Sequence, residues 1–318
     1  MTKGNFENKI QLSKAELKDR KRRDRIKGIK KYWQLYLLIL IPVIITFVYK
    51  YIPMWGIQIA FKDYSPSAGF LKSESVGFKW FRRFFASPNI NRMIKNTVLL
   101  SVYTILWSFP IPIILSLMIN QIYHERFKRT LQTVTYAPHF ISIMVVTGMI
   151  RIFLSPYGGL VNLVMDTNVD WLTEPEAFRT IYVASEIWQN TGWNSIIYVA
   201  SLSAIDQSLY EAAEIDGATL WQKIRYIDLP TLVPVMVLNL IMAVGGIMSI
   251  GFEKVYLLQT DLNKAASDVI SVYVYQQGLV NQNYSYATAV GLFNTVINVI
   301  LVLIVNRIAD KYSEISIV

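Results

Sequence analysis

The sequence predicts an all-α polytopic membrane protein with six transmembrane helices, and three observations support this. Hydrophobic residues make up 53% of the 318 residues and charged residues only 17%, which is too apolar for one soluble domain. The apolar residues are concentrated in six runs, each close to the ~20 residues that a bilayer requires. Clusters of Pro, Gly and polar residues separate the runs. Cysteine is absent, which excludes disulfides, thiolate nucleophiles and cysteine-ligated metals.

Residues 1–31 are predicted to form a basic cytoplasmic tail. The block from Lys18 to Arg25 is rich in Lys and Arg, and it contributes much of the formal net charge of +9. Such a block is held near anionic headgroups at about 1 kcal/mol per basic residue. No aromatic residues interleave the charges, so nucleic-acid binding is disfavoured. The tail is also too long and too charged for the start of a cleavable signal, so we expect the first apolar run to be a retained anchor.

Hydropathy and helix breakers define the six spans. The predicted spans are Trp33–Tyr49, Thr97–Ile119, Val134–Leu154, Ile181–Ile205, Leu232–Ile250 and Tyr286–Val305. Pro110 and Pro112 are expected to kink the second span. Residues 53–91 are predicted to be irregular apart from a short interfacial helix that carries Trp80, Phe81, Phe84 and Phe85 in the headgroup plane. A polar loop is predicted for residues 253–283.

An even number of spans places both termini on one side, and the positive-inside rule assigns that side to the cytoplasm. The basic tail and the basic residues of 126–129, 223–225 and 307–311 then all lie inside. The exception is the first outer loop, where five basic residues between 62 and 83 face out. Long segments translocate despite such charge, so the orientation with both ends inside is retained.

The chain is organised around a polar element, residues 206–230, between the fourth and fifth spans. Ser208 is predicted to cap a first short helix, with Glu211 three residues on to complete a capping box. Gly217 is predicted to end this helix, because glycine adopts the left-handed conformation without steric cost.

A second short helix is predicted to begin at Thr219, with Gln222 completing its capping box. Pro230 is predicted to end it, because proline cannot continue the hydrogen-bond ladder. Ala212 and Ala213 leave a flat surface that permits close approach. Such an element cannot bury itself, so we expect it to dock onto a partner.

The spacing of this element resembles the coupling loop of permease subunits in binding-protein-dependent ABC importers. The signature is Glu-Ala-Ala, three residues, Gly, nine residues, Ile, one residue, Leu-Pro. A pattern of seven positions with fixed gaps is specific, and an ordinary helical hairpin is the less favoured alternative. The residues that this resemblance assigns to ATPase coupling are Glu211, Ala212, Ala213, Asp216, Gly217, Ile227, Leu229 and Pro230.

Three further runs, Tyr51–Gly56, Ile59–Tyr64 and Gln132–Ser142, resemble one branch of carbohydrate importers. The branch comprises the lipoprotein-gene-cluster and polygalacturonan/rhamnogalacturonan-type permeases, which are related to the maltose-type inner-membrane subunits. The resemblance implies the type I ABC importer fold, a bacterial cell membrane location and transport of sugars, with oligosaccharides favoured. The sugar itself is not identified.

The same resemblance implies three kinds of protein partner: a second homologous permease, cytoplasmic ATP-binding subunits and an extracytoplasmic solute-binding protein. The chain has no Gly-x-x-x-x-Gly-Lys-Ser/Thr phosphate loop, so ATP is expected on the partner ATPase, with no cofactor on this chain and no enzymatic activity. Glu211 either presents a carboxylate to a basic residue of the ATPase or only caps its helix.

The fourth span carries the candidate sugar path, formed by Glu186, Gln189, Asn190 and Trp193. Polar groups inside a membrane usually face a bundle interior or a wet cavity. Amides and aromatic rings suit the hydroxyl groups and the apolar face of a sugar. Hydrogen bonding between helices is the alternative.

For three further polar residues of the spans, Asn239, Asn294 and Asn298, hydrogen bonding between helices is favoured over a sugar contact. His139 is expected to be a structural histidine with a hydrogen-bond partner.

Two other functions stay open. The coupling signature is shared by importers of phosphate, amino acids and peptides, so a non-sugar solute is one alternative. A multispanning enzyme such as a lipid-linked glycosyltransferase is the other, and it would require acidic pairs or a metal cluster. We call residues 206–230 the coupling element. Outside it and the tail, the only tight acidic pair is Glu174 with Glu176, and no histidine lies near this pair in sequence. The signature itself disfavours a proton-coupled carrier.

Overall fold

The computed structural model describes residue 27 and residues 30–313. The chain divides into two compact units, residues 1–58 and 59–318. The predicted basic tail falls mostly on residues 1–26, 28 and 29, which lie outside the described residues, so the tail stays a prediction.

The described part of the first unit is dominated by helix α1, Trp33–Phe61, which ends just inside the second unit. The predicted span ended too early, at Tyr49. The segment Phe47–Tyr51 is π-helical, Pro53 occupies the first turn after it, and a 3₁₀ segment follows to Phe61. A widened turn accommodates a residue without an N–H. Pro53 and Gly56 therefore change the type of helix here and do not end it.

The second unit contains one small antiparallel sheet and many helices. The strands are β1, Lys62–Asp63, and β2, Glu74–Ser75, with Lys62 opposite Ser75. In chain order the helices are α2 (Gly69–Lys72), α3 (Lys79–Phe85), α4 (Ile90–Asn120), α5 (Glu125–Phe140), α6 (Ile143–Phe153), α7 (Leu160–Met165), α8 (Pro175–Ser203), α9 (Gln207–Ile215), α10 (Leu220–Gly245), α11 (Phe252–Leu258), α12 (Lys264–Ser267), α13 (Ile270–Tyr275) and α14 (Tyr284–Ser313).

Among the described residues, four helices are long and apolar enough to cross a membrane: α1, α4, α10 and α14. The bent pair α5 and α6 makes a fifth if it counts as one span. Helix α8 is long enough at 29 residues but is too polar to be counted with them. The helical hydrogen bonding of α4 is interrupted at Phe109, immediately before Pro110, where the two prolines predict a distortion.

The predicted third span, 134–154, straddles a bend of 95° between α5 and α6. The helix tightens to a 3₁₀ turn over Ala137–Phe140, and Ile141 and Ser142 are then extended. Ser142 starts the next helix by accepting a hydrogen bond from the backbone N–H of Val145. The chain therefore changes direction inside a run that hydropathy alone reads as one helix.

The prediction of a polar loop over 253–283 is wrong. This stretch contains α11, α12, α13 and a π-helical turn, Gln276–Val280. Each helix is too short to show a helical period in the sequence, and such helices form only when packing stabilises them. Val255, Leu258 and Val269 are completely buried, which supplies that packing.

Within residues 59–313, three clusters of buried side chains form the core of the second unit. The first joins α4, α8 and α11–α13 around Leu100, Phe178 and Val255. The second packs α3 and α4 on α14, and the third joins α4, α8 and α10. Helices α8 and α5 also approach closely at Gly192, where an added Cβ would lie 2.0 Å from the carbonyl oxygen of Thr135.

Helix α3 forms as predicted, but part of its apolar face packs on protein. Trp80 and Phe84 are buried, and the rings of Phe84 and Phe293 are 5.4 Å apart. The predicted setting in the headgroup plane therefore does not hold for these two side chains.

The three asparagines expected to join helices do so. Asn239 Nδ2 donates to the Tyr198 hydroxyl at 3.2 Å, which connects α10 to α8. From α14, Asn294 donates to the carbonyl oxygen of Met248 at 2.8 Å, and Asn298 donates to the Ser249 hydroxyl at 2.7 Å. Amide side chains thus satisfy the irregular backbone after α10.

Candidate functional site

The coupling element begins with α9, and its cap differs from the prediction. The Asp206 carboxylate accepts the backbone N–H of Ser208 at 3.0 Å, so Asp206 is the N-cap and Ser208 lies inside the helix. This backbone hydrogen bond holds the pKa of Asp206 below its usual range. Ser208 and Asp206 are both good cap residues, so composition alone does not choose between them. Glu211 is then the fifth helical residue, too far along for a capping box, and its side chain is exposed.

Gly217 ends α9 as predicted. Its φ angle is +73°, in the left-handed region that favours glycine. The N–H groups of Gly217 and Ala218 donate to the carbonyl oxygens of Glu214 and Ala213 at 3.0 and 2.9 Å. These bonds satisfy the last carbonyl groups of the helix.

The second capping box is also confirmed. The Gln222 Oε1 atom accepts the backbone N–H of Thr219 at 2.7 Å, and Thr219 Oγ1 accepts the backbone N–H of Gln222. The prediction that Pro230 ends this helix is wrong, because α10 continues to Gly245. Residues Ile224–Asp228 are π-helical, and Pro230 lies in the first turn after them, where a missing N–H is tolerated. The coupling element therefore passes without a break into a candidate membrane-spanning helix.

The coupling element presents most of its signature to the outside. Glu211, Ala212, Asp216, Gly217 and Pro230 are exposed, while Ala213, Ile227 and Leu229 are half-buried. Large apolar side chains next to them are also uncovered: Ile215 is 87% exposed and Trp221 66%. Exposed apolar side chains clustered beside polar ones are typical of surfaces that contact another protein or a membrane.

A buried carboxylate lies behind this surface. Asp228 is fully buried, and its two oxygens accept hydrogen bonds from the Tyr210 hydroxyl and from Gln121 Nε2, the latter at 3.0 Å. Asn120 Nδ2 donates to the Tyr210 hydroxyl at 3.2 Å. Burial, with a contribution from the Asp228 carboxylate, raises the pKa of Tyr210 to about 12. The phenol is therefore a protonated donor at physiological pH.

The polar residues of α8 line a cleft of about 780 Å³, together with α11 and the bend between α5 and α6. Glu186 forms an ion pair of 2.7 Å with Lys254, whose side chain is only 3% exposed. The other Glu186 oxygen accepts Nδ2 of Asn190 at 2.5 Å. The Asn190 Oδ1 atom lies 2.8 Å from Nδ1 of His139.

This chain of contacts determines which atoms donate hydrogen bonds. A carboxylate only accepts, so the Asn190 amide must turn its NH₂ group toward Glu186 and its oxygen toward His139. Nδ1 of His139 therefore carries a hydrogen and donates it to Asn190 Oδ1. The His139 ring stacks on Trp193, with centroids 4.4 Å apart and planes 6° apart.

The four predicted sugar-path residues do not play one role. Glu186 and Asn190 line the cleft. Gln189 also lines it but is buried, and its amide donates to the carbonyl oxygen of Ile141 at 2.9 Å, across the bend. Trp193 lines a second cleft of about 660 Å³ with Asn194 and Asn239. Within the described part of the chain, no group of three or more His, Cys, Asp and Glu residues is arranged to hold a metal ion.

Comparison with known protein families identifies the family of this chain. The model of the family described as "Binding-protein-dependent transport system inner membrane component" matches residues 84–314. The chain belongs to this family. It is therefore a multi-pass membrane component of a transport system and not an enzyme.

Two relatives from Bacillus subtilis (strain 168) resemble this inner membrane component over most of their length. Protein LplB is 39% identical over 291 residues, covering 90% of this chain and 92% of LplB. The polygalacturonan/rhamnogalacturonan transport system permease protein YteP is 40% identical over 301 residues, covering 93% of this chain and 94% of YteP.

Two crystal structures are similar to most of this inner membrane component. One is of a bacterial ABC transporter involved in the import of the acidic polysaccharide alginate, with a TM-score of 0.82, 40% identity and coverage of 91% of this chain and 99% of the other. The second is of a bacterial alginate ABC transporter in complex with an alginate pentasaccharide-bound periplasmic protein, with a TM-score of 0.83, 40% identity and coverage of 92% and 99%. The predicted resemblance to importer permeases and the importer permease fold are confirmed.

Sequence reasoning missed several polar residues of this inner membrane component. Lys254 lies in the stretch predicted as a polar loop, and the sequence prediction assigns no role to Tyr210, Gln121 and Asp228. One signal was available for Asp228: it is flanked by Ile227 and Leu229, and an ionisable residue between apolar neighbours has to be partnered when it is buried.

Proposed function

We propose that this chain is the membrane-spanning permease subunit of an ATP-driven ABC importer for sugars, with oligosaccharides as the substrates. It forms half of the translocation path and couples to a separate ATPase through residues 206–230. The observation that carries the proposal is the exposed coupling signature, held by Gly217 and continuous with α10. The partners are a second homologous permease, cytoplasmic ATP-binding subunits that hold the ATP, and an extracytoplasmic solute-binding protein.

In this proposal the chain crosses the membrane six times, with both ends in the cytoplasm. The spans are α1, α4, the bent pair α5 and α6, α8, α10 and α14. Helix α8 crosses despite its polar residues because these face the interior of the bundle, where Glu186 pairs with Lys254. The exposed coupling signature and the basic segments near it favour the cytoplasmic side for residues 206–230.

An acidic oligosaccharide is the substrate class that the relatives favour. YteP is named for polygalacturonan and rhamnogalacturonan transport, and the similar crystal structures are of importers of the acidic polysaccharide alginate. Two clefts beside α8 offer groups that suit sugars: Nε2 of His139 and the Asn190 amide in the first, and the Trp193 ring in the second. Gln189 is assigned to holding the bend in place. An importer for a non-sugar solute remains the alternative.

Uptake by reconstituted complexes tests the proposal. The chain is placed in proteoliposomes with its partner permease, ATPase and solute-binding protein, and uptake of labelled oligogalacturonides is compared with that of neutral maltooligosaccharides. We expect ATP-dependent uptake of the oligogalacturonides only when all subunits are present, and no ATP hydrolysis by this chain alone. Uptake without the ATPase, or uptake of a non-sugar solute in preference to both sugars, would contradict the proposal.

A further inference from the structure

The strongest feature outside the signature is the buried carboxylate of Asp228. Both of its oxygens are bonded, one to Tyr210 in α9 and one to Gln121, which follows α4. Asp228 itself belongs to the π-helical turn of α10. One side chain thus ties together the exposed helix α9 and two candidate membrane-spanning helices.

The donors around Asp228 are neutral. Among the ion pairs of the described residues none includes Asp228. A buried carboxylate without a cation depends on its hydrogen bonds, because each unsatisfied oxygen carries the full desolvation cost. The geometry of Tyr210 and Gln121 relative to Asp228 is therefore closely constrained.

Helix α9 has few other ties to the membrane helices. None of its nine residues is buried, so apolar packing contributes little to holding it. The ion pair between Glu214 and Lys223 also joins α9 to α10, at 2.6 Å, with the Lys223 side chain 12% exposed and the Glu214 side chain 59% exposed. Because Glu214 is open to solvent, salt screens this pair more than it screens the buried contacts of Asp228. The Asp228 contacts are thus the main buried connection of α9.

We propose that Asp228 is a positioning residue for energy coupling: with Tyr210 and Gln121 it forms a latch that makes α9 move as one body with the ends of α4 and α10. This inference rests on the proposed function, in which an ATPase pushes on the exposed face of α9. Without the latch, α9 swings on the turn at Gly217 and the movement is not passed on. The ATPase then still hydrolyses ATP, but fewer sugars cross for each ATP consumed.

Two variants remove the latch. Tyr210→Phe deletes one hydroxyl and is the gentler change, and Asp228→Leu deletes both acceptors. A conservative variant, Asp228→Asn, is expected to keep the latch, because its amide accepts from Tyr210 and donates to a flipped Gln121 amide. Tyr49→Phe is the control, since it removes a hydroxyl from a residue of α1 that is 75% exposed and lies outside the coupling element.

The experiment measures oligogalacturonide uptake and ATP hydrolysis together, in proteoliposomes that contain the complete complex. We expect the ratio of sugar to ATP to fall about tenfold in Tyr210→Phe and Asp228→Leu, the factor that 1.4 kcal/mol represents. Asp228→Asn and Tyr49→Phe are expected to keep a ratio within about twofold of wild type, a change worth about 0.4 kcal/mol.

A merely structural role would lower the amount of assembled complex but leave the sugar-to-ATP ratio unchanged, and this result overturns the latch. An equal fall of uptake and hydrolysis in Tyr210→Phe overturns it as well. Absence of uptake by the wild-type complex is a different result: it contradicts the proposed function, and the latch with it. The two failures are therefore distinguished by the wild-type sample alone.

Discussion

In the coupling element, Gly217 has the left-handed backbone conformation that favours glycine. Its φ of +73° is costly for an L-residue by about 1–2 kcal/mol, and no atom lies within 4 Å of the position of an added Cβ. The requirement is therefore conformational and not a matter of space.

We predict that Gly217→Asn retains most of the uptake, because asparagine tolerates the left-handed region, while Gly217→Val loses it. Both variants should be present in the membrane in normal amounts, as checked by immunoblotting. Equal uptake by the two variants would show that this backbone conformation does not matter.

The pair of Glu186 and Lys254 leads to a second prediction. Removing one partner leaves a buried charge uncompensated, which destabilises a protein by about 3–5 kcal/mol. We expect Glu186→Ala to lower the thermal unfolding temperature of the detergent-solubilised chain, and the double variant Glu186→Ala with Lys254→Met to recover most of the loss. A double variant no more stable than the single one would mean that the ion pair is not the cause.

At the residue scale, the sequence correctly predicts features that depend only on residues close together in the chain. The conformation of Gly217 and the capping box of Thr219 and Gln222 are correct because each depends on residues a few positions apart. The predicted cap of α9, Ser208, is wrong because Asp206 and Ser208 are both suitable N-cap residues. Lys254 and Asp228 could not be assigned, because Glu186 and Gln121, with which they bond, lie 68 and 107 residues away in sequence.

At the scale of elements, the contact of α8 with α5 depends on Gly192. A Cβ there would overlap the carbonyl group of Thr135, at 2.0 Å from its oxygen. Gly148 in α6 is the matched control, because nothing lies within 4 Å of its Cβ position.

We predict that Gly192→Ala pushes the two helices apart, at a cost of at least about 1–3 kcal/mol, while Gly148→Ala leaves stability unchanged or slightly higher. Thermal unfolding of the two purified variants measures the difference. If both variants unfold at the wild-type temperature, the close approach of α8 and α5 is incorrect.

The lengths of the elements show where sequence reasoning stops. Spans without interruptions, such as α14, are located well because twenty apolar residues are unambiguous. Pro53 and Pro230 are predicted to break helices, but each lies in the first turn after a π-helical segment, where the helix continues. The bend at Ile141 and the short helices α11–α13 are outcomes of tertiary packing, which a hydropathy profile does not contain.

At the scale of the whole molecule, the absence of cysteine allows a direct test of topology. In a single-cysteine variant, the introduced cysteine is the only one in the chain, so all labelling of the chain by a thiol reagent reports on that position. Tyr157 is 89% exposed and lies between α6 and α7, on the outer side in the proposed arrangement, while Asp216 is exposed in the coupling element.

We expect a membrane-impermeant thiol reagent to label Tyr157→Cys in intact cells and to label Asp216→Cys only after the membrane is opened. The reverse pattern would place the coupling element outside and would invert the proposed orientation. Variants that label equally from both sides would indicate mixed insertion.

The central claim is that residues 206–230 dock onto an ATPase which this chain lacks. Crosslinking tests it most directly, with a single cysteine at Ala212, an exposed signature position, in the complete transporter. The Ala212→Cys chain should form one adduct, with the ATPase subunit, and Tyr157→Cys should form none with it. A transporting complex in which Ala212→Cys never reaches the ATPase, but reacts only with its own chain or with lipid, would contradict the account.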